Sequence, residues 1–406
     1  MSDVWGENTL ALDGSRVIDR RIYVDPAILE AERQAIFART WQWVAHVTEL
    51  PEAGDYVTAQ VAGRPIVVSR KHDGEIAAFM NACTHRGALL APHARGAAPN
   101  GFVCMYHGWC FDNDGAFTSA PISAAYGANL QKACYDAPAV RSDVFAGNVF
   151  VCLDPDAVPL AEFLGEAGPY IQRFTGDHEA IGRVRWTIEG NWKLWHENFR
   201  DNYHPMFTHA MIGANYQGVQ IDGVNLDLGD GHGLLAFPSQ GNPDQIRIAI
   251  RRVTGRAPDD FSFRRRPAND GKISHHIMAV FPNLDFQYSG DGRLANVLQV
   301  VRPINAQRAV VELVAFGDAG EAPEARRARL DRCLDGQTAA GKISGDDNEA
   351  ARRCAGGFGA AGEVRWSNMD RGQAPGGQGA KNDEYSLRAF YTQYKKYMGD
   401  HLRLAA

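Results

Sequence analysis

The sequence has no run of about 18 apolar residues, which is the length that a membrane-spanning helix requires, and it does not begin with a basic segment followed by an apolar one. We therefore expect no membrane partner and a cytoplasmic protein. Its 42 Lys and Arg are outnumbered by 48 Asp and Glu, and no basic stripe occurs on a scale that would reverse this balance. This charge balance argues against a nucleic-acid partner.

Cysteine is sparse, and one nucleotide-binding motif is missing. Seven cysteines at irregular spacing, in a chain expected in a reducing compartment, indicate metal ligands or buried thiols rather than disulfides. No G-x-G-x-x-G follows a strand-like run, so we expect nicotinamide and flavin sites on other proteins.

The 406 residues exceed what one hydrophobic core usually serves, and the sequence pattern changes along the chain. Residues 1–45 form an N-terminal segment with one helical pattern, in which Asp25 is the predicted N-cap. Residues 46–155 consist of short alternating runs separated by turn residues, which predicts a small antiparallel all-β domain. In residues 156–406 we expect a sheet covered by helices on one side. The predicted fold class is α+β.

The last segment contains several strongly periodic patterns. "NWKLWHENFRDNYH" predicts a helix, whereas "HIMAVFPNLDFQYS", "LANVLQVVRPI" and "AVVELVAFG" predict three strands. Two further helices are predicted near residues 323–335 and 384–398.

The first chemical motif lies in the all-β segment, as "CTHRG" and "CMYHGW". Each loop supplies one Cys and one His, namely Cys83 with His85 and Cys104 with His107. A Rieske [2Fe–2S] cluster needs two thiolates on one iron and two imidazoles on the other. Structural zinc is the alternative, but it usually takes a Cys pair from one turn and a His pair from another. The spacing therefore favours the Rieske cluster over zinc and over coincidence.

The second motif is "ENFRDNYHPMFTH". At 100° per residue, Trp192, Trp195 and Phe199 share one helical face, which is typical of packing into a core. Asp201 then lies on the opposite side, and His204 follows one turn later on the face of Asp201.

The two histidines of this motif, His204 and His209, can bind one metal ion after Pro205 disturbs the helix. Two imidazoles and one carboxylate form the 2-His-1-carboxylate triad of non-heme Fe(II) enzymes, which leaves positions open for O₂ and substrate. The alternative is that both are hydrogen-bonded core histidines. By spacing alone, Asp201 is the nearest candidate for the third ligand.

Together the two motifs resemble the large (α) subunit of Rieske non-heme iron ring-hydroxylating oxygenases, over most of the chain. This resemblance implies a Rieske domain followed by a larger helix-grip (START/Bet v1-like) catalytic domain with an antiparallel sheet. It also implies that both histidines bind iron together with a distant Asp from a later helix. In "GDDNE" the second acidic residue, Asp347, matches that ligand, and Asp346 is the alternative. The same stretch is also a good helix start with acidic residues in the first turn.

The family pattern E-N-x-x-D-x-x-H-x₄-H further implies catalytic roles for Asn198 and Asp201. In such enzymes a head-to-tail trimer brings the cluster of one subunit beside the iron of the next. Asp201 would then link His107 of the partner subunit to His204, because carboxylates orient the histidines that bind metals.

The implied activity is hydroxylation of an aromatic substrate, with an aromatic carboxylate as one candidate, by the terminal component of a dioxygenase system. Electrons from NAD(P)H would arrive through a separate reductase, a ferredoxin or both, and the chain would form a homotrimer or an α₃β₃ assembly with a small subunit. Two alternatives stay open: a Rieske monooxygenase or O-demethylase, and a Rieske electron carrier without catalytic iron.

The substrate pocket is expected after the His ligands, on strands at 277–300 and before Asp347. Two of these stretches, "MFTHAMIGANY" and "VFPNLDFQY", are mostly apolar, which is consistent with a planar aromatic guest. Three cations could meet a substrate carboxylate, although surface positions are the simpler interpretation for each: Arg293, Arg365 and Lys381.

Overall fold

The chain divides into two units, which we call the small unit, Arg33–Phe163, and the large unit, Met1–Glu32 with Leu164–Ala406. A computed structural model describes residues 17–129, 132–209, 224–238, 273–289, 295–369, 371–372, 379–380 and 383–399. Within these ranges, no helix is both long and apolar enough to cross a membrane.

The small unit is an all-β structure with two antiparallel sheets. A seven-stranded sheet has the order β2-β11-β10-β5-β4-β3-β6, and a three-stranded sheet has the order β7-β8-β9. The strands are β2 (Gln42–His46), β3 (Asp55–Val61), β4 (Arg64–Arg70), β5 (Ile76–Met80), β6 (Arg95–Ala97), β7 (Phe102–Val103), β8 (Cys110–Phe111), β9 (Phe117–Ser119), β10 (Ala139–Phe145) and β11 (Asn148–Cys152).

Two hairpins of the small unit close through the same dipeptide. Ala62-Gly63 joins β3 to β4 and Ala146-Gly147 joins β10 to β11, and all four residues have positive φ. Two consecutive left-handed residues form the tight turn whose twist matches the twist of the flanking strands. The alternating runs recognised in the sequence therefore pair directly with their neighbours.

The large unit is built around an eight-stranded sheet with the order β12-β18-β17-β16-β15-β14-β13-β20, in which all neighbours are antiparallel. Its strands are β12 (His178–Glu189), β13 (Val224–Gly229), β14 (His232–Pro238), β15 (Ile273–Val280), β16 (Leu284–Ser289), β17 (Asn296–Asn305), β18 (Arg308–Asp318) and β20 (Gly379–Ala380). A separate two-stranded sheet pairs β1 (Val17–Asp19) with β19 (Trp366–Asn368).

Four helices of the large unit cover one face of the eight-stranded sheet: α4 packs on β17, α6 on β18, α7 on β12 and α8 on β13 and β14. The short α3 packs on the other face, where Phe174 stacks on Tyr288 of β16. In chain order the helices are α1 (Pro26–Glu32), α2 (Leu160–Leu164), α3 (Gly168–Thr175), α4 (Trp192–Asn198), α5 (Pro205–Thr208), α6 (Pro323–Gly336), α7 (Ser344–Gly357) and α8 (Tyr385–Met398). The α+β arrangement predicted from the sequence is confirmed.

Some local predictions hold and others are wrong. Asp25 accepts a hydrogen bond from the backbone N–H of Ala27, as an N-cap does. The run "HIMAVFPNLDFQYS" is not one strand, because residues 281–283 form a turn between β15 and β16. Strands β12, β13 and β14 were not predicted, since their sequences mix charges and glycines with the apolar residues.

Helix α4 is fixed by a buried carboxylate of the N-terminal segment. Both oxygens of Glu32 are used: one lies 2.5 Å from Lys193 Nζ and 2.6 Å from Tyr394 Oη, and the other accepts from Trp192 Nε1 at 2.8 Å. The Glu32 and Lys193 side chains are fully buried, so removing one of them would leave the other as a buried charge without a partner. This network joins the ends of α1, α4 and α8.

Candidate metal centres and active site

Two loops of the small unit hold Cys83 and Cys104 in equivalent surroundings. Gly87 N–H donates to Cys83 O at 2.7 Å, and Gly108 N–H donates to Cys104 O at 2.9 Å. Both glycines have positive φ, which lets each loop turn back on its cysteine. Both thiols are buried, and this burial, together with the adjacent Cys104 thiol, raises the pKa of Cys83.

The imidazoles of the same loops lie side by side. The ring centroids of His85 and His107 are 4.5 Å apart, and His85 stacks on Trp109 at 4.8 Å. His85 Nδ1 is buried and has no hydrogen-bond partner among the residues that the structure describes. Burial and the charges of His85 and Arg86 lower the pKa of His107, which favours the neutral form that binds metal.

The four side chains form the donor set of a two-iron cluster. Each loop supplies one buried thiol and one half-buried imidazole, whereas structural zinc usually takes a Cys pair from one turn and a His pair from another. Two thiolates and two imidazoles arranged in this way fit a Rieske cluster.

In the large unit, the second motif and the acidic pair converge. Oδ1 of Asp347 lies 3.5 Å from His204 Nε2 and 3.2 Å from His209 Nε2. One donor atom from each residue falls within 4.8 Å of the other two, the only such group in the described part of the chain. Asp347 Oδ1 is buried without a hydrogen-bond partner there. These features fit two imidazoles and one carboxylate around one divalent cation.

Two further carboxylates face the opposite nitrogens of the rings. Asp201 Oδ2 lies 3.5 Å from His204 Nδ1, and Asp346 Oδ2 lies 3.4 Å from His209 Nδ1. A carboxylate on the far nitrogen fixes the orientation of an imidazole and makes it a stronger metal ligand. Asp201, the nearest candidate by spacing, therefore lies behind a ring and outside the group of three.

The charges at this site favour a cation between the rings. Burial lowers the pKa of His204, but the carboxylates of Asp201 and Asp347 outweigh it and raise the pKa to about 9. Burial raises the pKa of Asp347, but His204 and His209 reverse this and lower it. A proton and a metal ion bind the same imidazole nitrogen, so surroundings that attract one also attract the other.

The prediction of a helix that carries Asp201 and His204 on one face is wrong. Helix α4 ends at Asn198, because the buried guanidinium of Arg200 turns inward. It donates to the backbone oxygens of Ser386 and Gly231 at 3.1 and 2.7 Å. Asp201 Oδ1 then accepts the N–H of Tyr203 at 2.6 Å, which forms a turn.

Short regular segments then position the metal-binding side chains. His204 immediately precedes α5, whose first residue is Pro205, and His209 follows its last residue. Asp346 and Asp347 lie in the first turn of α7. Ser344 is the first residue of that helix and not its cap, since its hydroxyl donates to Gln337 O at 3.1 Å.

A cavity opens on the three metal-binding side chains, and Asn198 and Asp201 line it as well. As predicted, strands in the range 277–300 and the segment before Asp347 supply part of its wall. The segment after His209 lies outside the described residues. In the described part of the wall, the apolar side chains of Phe199, Ile277 and Ile343 are accompanied by amides. These amides are Asn202, Gln287, Gln299 and Gln337.

The glutamines are the site residues that the sequence interpretation missed. Their signal was a polar residue in an otherwise apolar strand, as in "NVLQVV". Of the three cations considered for a substrate carboxylate, Arg293 and Lys381 lie outside the described residues. Arg365 donates to Asp19 at 2.8 Å and is not among the residues that line the cavity.

Comparison with known proteins agrees with this geometry. The Rieske [2Fe-2S] domain family matches residues 40–135, and the ring hydroxylating alpha subunit (catalytic domain) family matches residues 176–400, more than half of the chain. The chain belongs to the ring-hydroxylating oxygenase α subunits. The two centres of this family are a Rieske cluster and a mononuclear iron, and its members act with a reductase or ferredoxin and form oligomers.

Two curated relatives of this α subunit act on aromatic acids, according to their names. Anthranilate 1,2-dioxygenase large subunit from Acinetobacter baylyi is 30% identical over 392 residues, which cover 89% of this chain and 81% of the relative. Toluate 1,2-dioxygenase subunit alpha from Pseudomonas putida is 30% identical over 379 residues, 87% of this chain and 81% of the relative. A solved structure of naphthalene 1,2-dioxygenase with indole in its active site is 26% identical, with a TM-score of 0.78 over 94% of this chain and 92% of that one.

Proposed function

We propose that this α subunit is the terminal oxygenase that hydroxylates an aromatic substrate with a polar substituent, such as the carboxylate of its relatives' substrates. The observation that carries the proposal is the convergence of His204, His209 and Asp347 on one cavity, in a chain that also has a Rieske domain. The proposal keeps the segments 1–45, 46–155 and 156–406 as N-terminal, Rieske and catalytic parts.

In the proposed mechanism, Cys83, His85, Cys104 and His107 would hold the cluster, and His204, His209 and Asp347 would hold the iron. When bound, the cluster supplies electrons one at a time and the ferrous iron supplies reductive O₂ chemistry. Electrons come from NAD(P)H through a separate reductase or ferredoxin.

The other residues of the cavity position these ligands and the substrate. Asp201 and Asp346 hold the Nδ1 sides of the two rings, so that both Nε2 atoms point towards Asp347. Asn198 adds an amide to the cavity wall, close in sequence to Asp201. Phe199, Ile277 and Ile343 offer apolar surface to an aromatic ring.

We also propose a head-to-tail trimer, with or without a small subunit, in which Asp201 contacts His107 of the partner subunit. The Asp201 side chain keeps 24% of its surface exposed. Next to His107, Met105 is 85% exposed and Tyr106 is 55% exposed. Exposed apolar side chains at a cluster loop suit burial by another subunit.

The test combines composition with product analysis. The purified chain, given a reductase, NADH and ¹⁸O₂, should hydroxylate aromatic acids and contain about three irons and two sulfides. Two ¹⁸O atoms in the product indicate a dioxygenase, and one indicates the monooxygenase alternative. About two irons and no product would identify an electron carrier and contradict the proposal, as would a colourless zinc protein.

A further inference from the structure

Three glutamines meet on the wall of the cavity. Gln287 lies on β16, Gln299 on β17 and Gln337 directly after α6. Gln287 pairs with Val297, and alternate residues of a strand face the same side of a sheet, so Gln287 and Gln299 share the face that α4 and α6 cover. Gln299 and Gln337 are 2% and 1% exposed.

The orientation of the Gln299 amide follows from its partner. Trp195 Nε1 lies 2.9 Å from Gln299 Oε1. An indole N–H is only a donor, so the atom that it meets must be the amide oxygen. The NH₂ group of Gln299 therefore points away from Trp195, and no hydrogen bond to it occurs within the described residues. It is an unused donor on the cavity wall.

The Gln337 amide is oriented in the opposite sense. Its nitrogen donates to Ala295 O at 3.2 Å and to Gln287 Oε1 at 2.5 Å. A backbone carbonyl only accepts, so the NH₂ group must face Ala295. Gln337 Oε1 is left buried without a hydrogen-bond partner in the described chain. It is an unused acceptor on the same wall.

The third glutamine has both of its polar atoms engaged. Gln287 accepts from Gln337 through Oε1, and its nitrogen lies 3.4 Å from His275 Nε2. A purely structural amide network would satisfy every member in this way, because a buried polar group without a partner costs about 1–3 kcal/mol. The two unused groups both belong to residues that line the cavity.

No lysine or arginine occurs among the described residues that line the cavity. Its charged side chains are those of the metal centre and Asp201. Hydrogen bonds from neutral amides, rather than an ion pair, are therefore what the described wall offers to a polar substituent.

We propose that Gln299 and Gln337 select the substrate by its polar edge: Gln299 donates to an acceptor of the substrate and Gln337 accepts from an adjacent donor. The substrate class is an aromatic ring that carries one acceptor next to one donor, as in a carboxamide or in a carboxyl with a neighbouring amino or hydroxyl group. This inference rests on the proposed function and names the substrate class for that site.

The test uses three neutral probes of similar shape on the iron-loaded protein, without oxygen or reductant. Benzamide offers an acceptor and a donor, acetophenone only the acceptor, and α-methylstyrene neither. Isothermal titration should give affinities that fall in this order, by about 5- to 150-fold at each step, because each lost partner leaves one amide group unpaired. Equal affinities for the three probes would overturn the proposal without any variant.

Two variants then assign the contacts. In Gln337→Met, benzamide should bind no better than acetophenone, and in Gln299→Met, acetophenone should bind no better than α-methylstyrene. The matched control is Gln307→Met, on the exposed turn between β17 and β18, which should keep the wild-type order. If a cavity variant weakens all three probes equally, the glutamine has a structural role and the proposal is wrong.

The proposed function and the recognition of the substrate by the two glutamines can fail independently, because binding is measured separately from turnover. A chain that ranks the probes as expected but forms no hydroxylated product would contradict the proposed function and support the recognition by amides. A chain that hydroxylates all three probes with the same kcat/KM would support the function and contradict the recognition.

Discussion

Asp346 Oδ2 lies 3.4 Å from His209 Nδ1, on the side of the ring that faces away from Asp347. Two consecutive aspartates in the first turn of α7 thus approach the two nitrogens of one imidazole. Asp347 is buried, whereas the Asp346 side chain is 40% exposed. The two aspartates are adjacent in the sequence, but their side chains lie in different environments.

Substituting these aspartates one at a time should separate their roles. Asp347→Asn should reduce the iron content from about three to about two atoms per chain, because the metal loses its only carboxylate from the group of three. Asp346→Asn should keep three irons but bind the mononuclear iron about 10- to 100-fold more weakly, since His209 loses the group that orients it. Iron and acid-labile sulfide, measured during titration with a chelator, check both results. Loss of the third iron in Asp346→Asn alone would reverse the assignment.

Asp201→Asn should retain both metal centres and abolish nearly all turnover. An amide in place of the carboxylate can no longer hold His204 or receive a hydrogen bond from a charged partner as strongly. The iron count and the rate at which substrate and O₂ reoxidise a reduced cluster are the measurements. Asp331→Asn, on the exposed face of α6, is the matched control and should have wild-type rates. Normal hydroxylation by Asp201→Asn would exclude a link between the centres through this residue.

The sequence was most informative where the chemistry is local. Each cluster loop is short and contains one Cys-His pair, either Cys83 with His85 or Cys104 with His107. The spacing alone was therefore enough to predict a Rieske cluster. His204 and His209 are likewise close in sequence. The pairing of Asp347 with them needs a contact across more than 130 positions, and the order of residues cannot reveal such a contact; only a family resemblance suggested it.

Tertiary contacts also explain where the sequence interpretation went wrong. The pattern from Trp192 onward continues the helical period, but the buried hydrogen bonds of Arg200 stop the helix at Asn198. The amides of Gln299 and Gln337 stand out only once the cavity is known, because a single polar residue in an apolar strand has many structural explanations.

The cluster loops should differ in their tolerance of alanine. Both Gly87 and Gly108 have positive φ, so either substitution should cost roughly 1–2 kcal/mol in backbone strain. A Cβ on Gly87 would meet nothing within 4 Å, whereas a Cβ on Gly108 would lie 2.8 Å from Pro121 Cγ. Gly108→Ala should therefore cost about 1–3 kcal/mol more, because the rigid ring of Pro121 has to move. Visible absorbance of the cluster during thermal unfolding compares the two variants, and equal losses would refute the steric argument.

Glu197 should make the stability of the protein fall as the pH rises towards neutrality. Its carboxyl group lies between the hydroxyls of Tyr23 and Tyr391, and the loss of solvent around it outweighs these hydrogen bonds and raises its pKa from 4.5 to about 7. Below pH 4.5 the group is protonated in both the folded and the unfolded state. Between pH 4.5 and 7 only the folded state keeps the proton, so stability declines over this range and levels off above it, by roughly 3 kcal/mol in total.

Glu197→Gln removes this titration while keeping an oxygen that can accept from a tyrosine hydroxyl. The difference in melting temperature between the variant and the wild type should therefore increase in favour of the variant from pH 5 to pH 7.5. Exposed Glu363→Gln is the matched control, and its melting curve should follow that of the wild type at every pH. If the curves of Glu197→Gln and the wild type run parallel, the carboxyl of Glu197 binds protons equally well in the folded and the unfolded state, and the prediction is wrong.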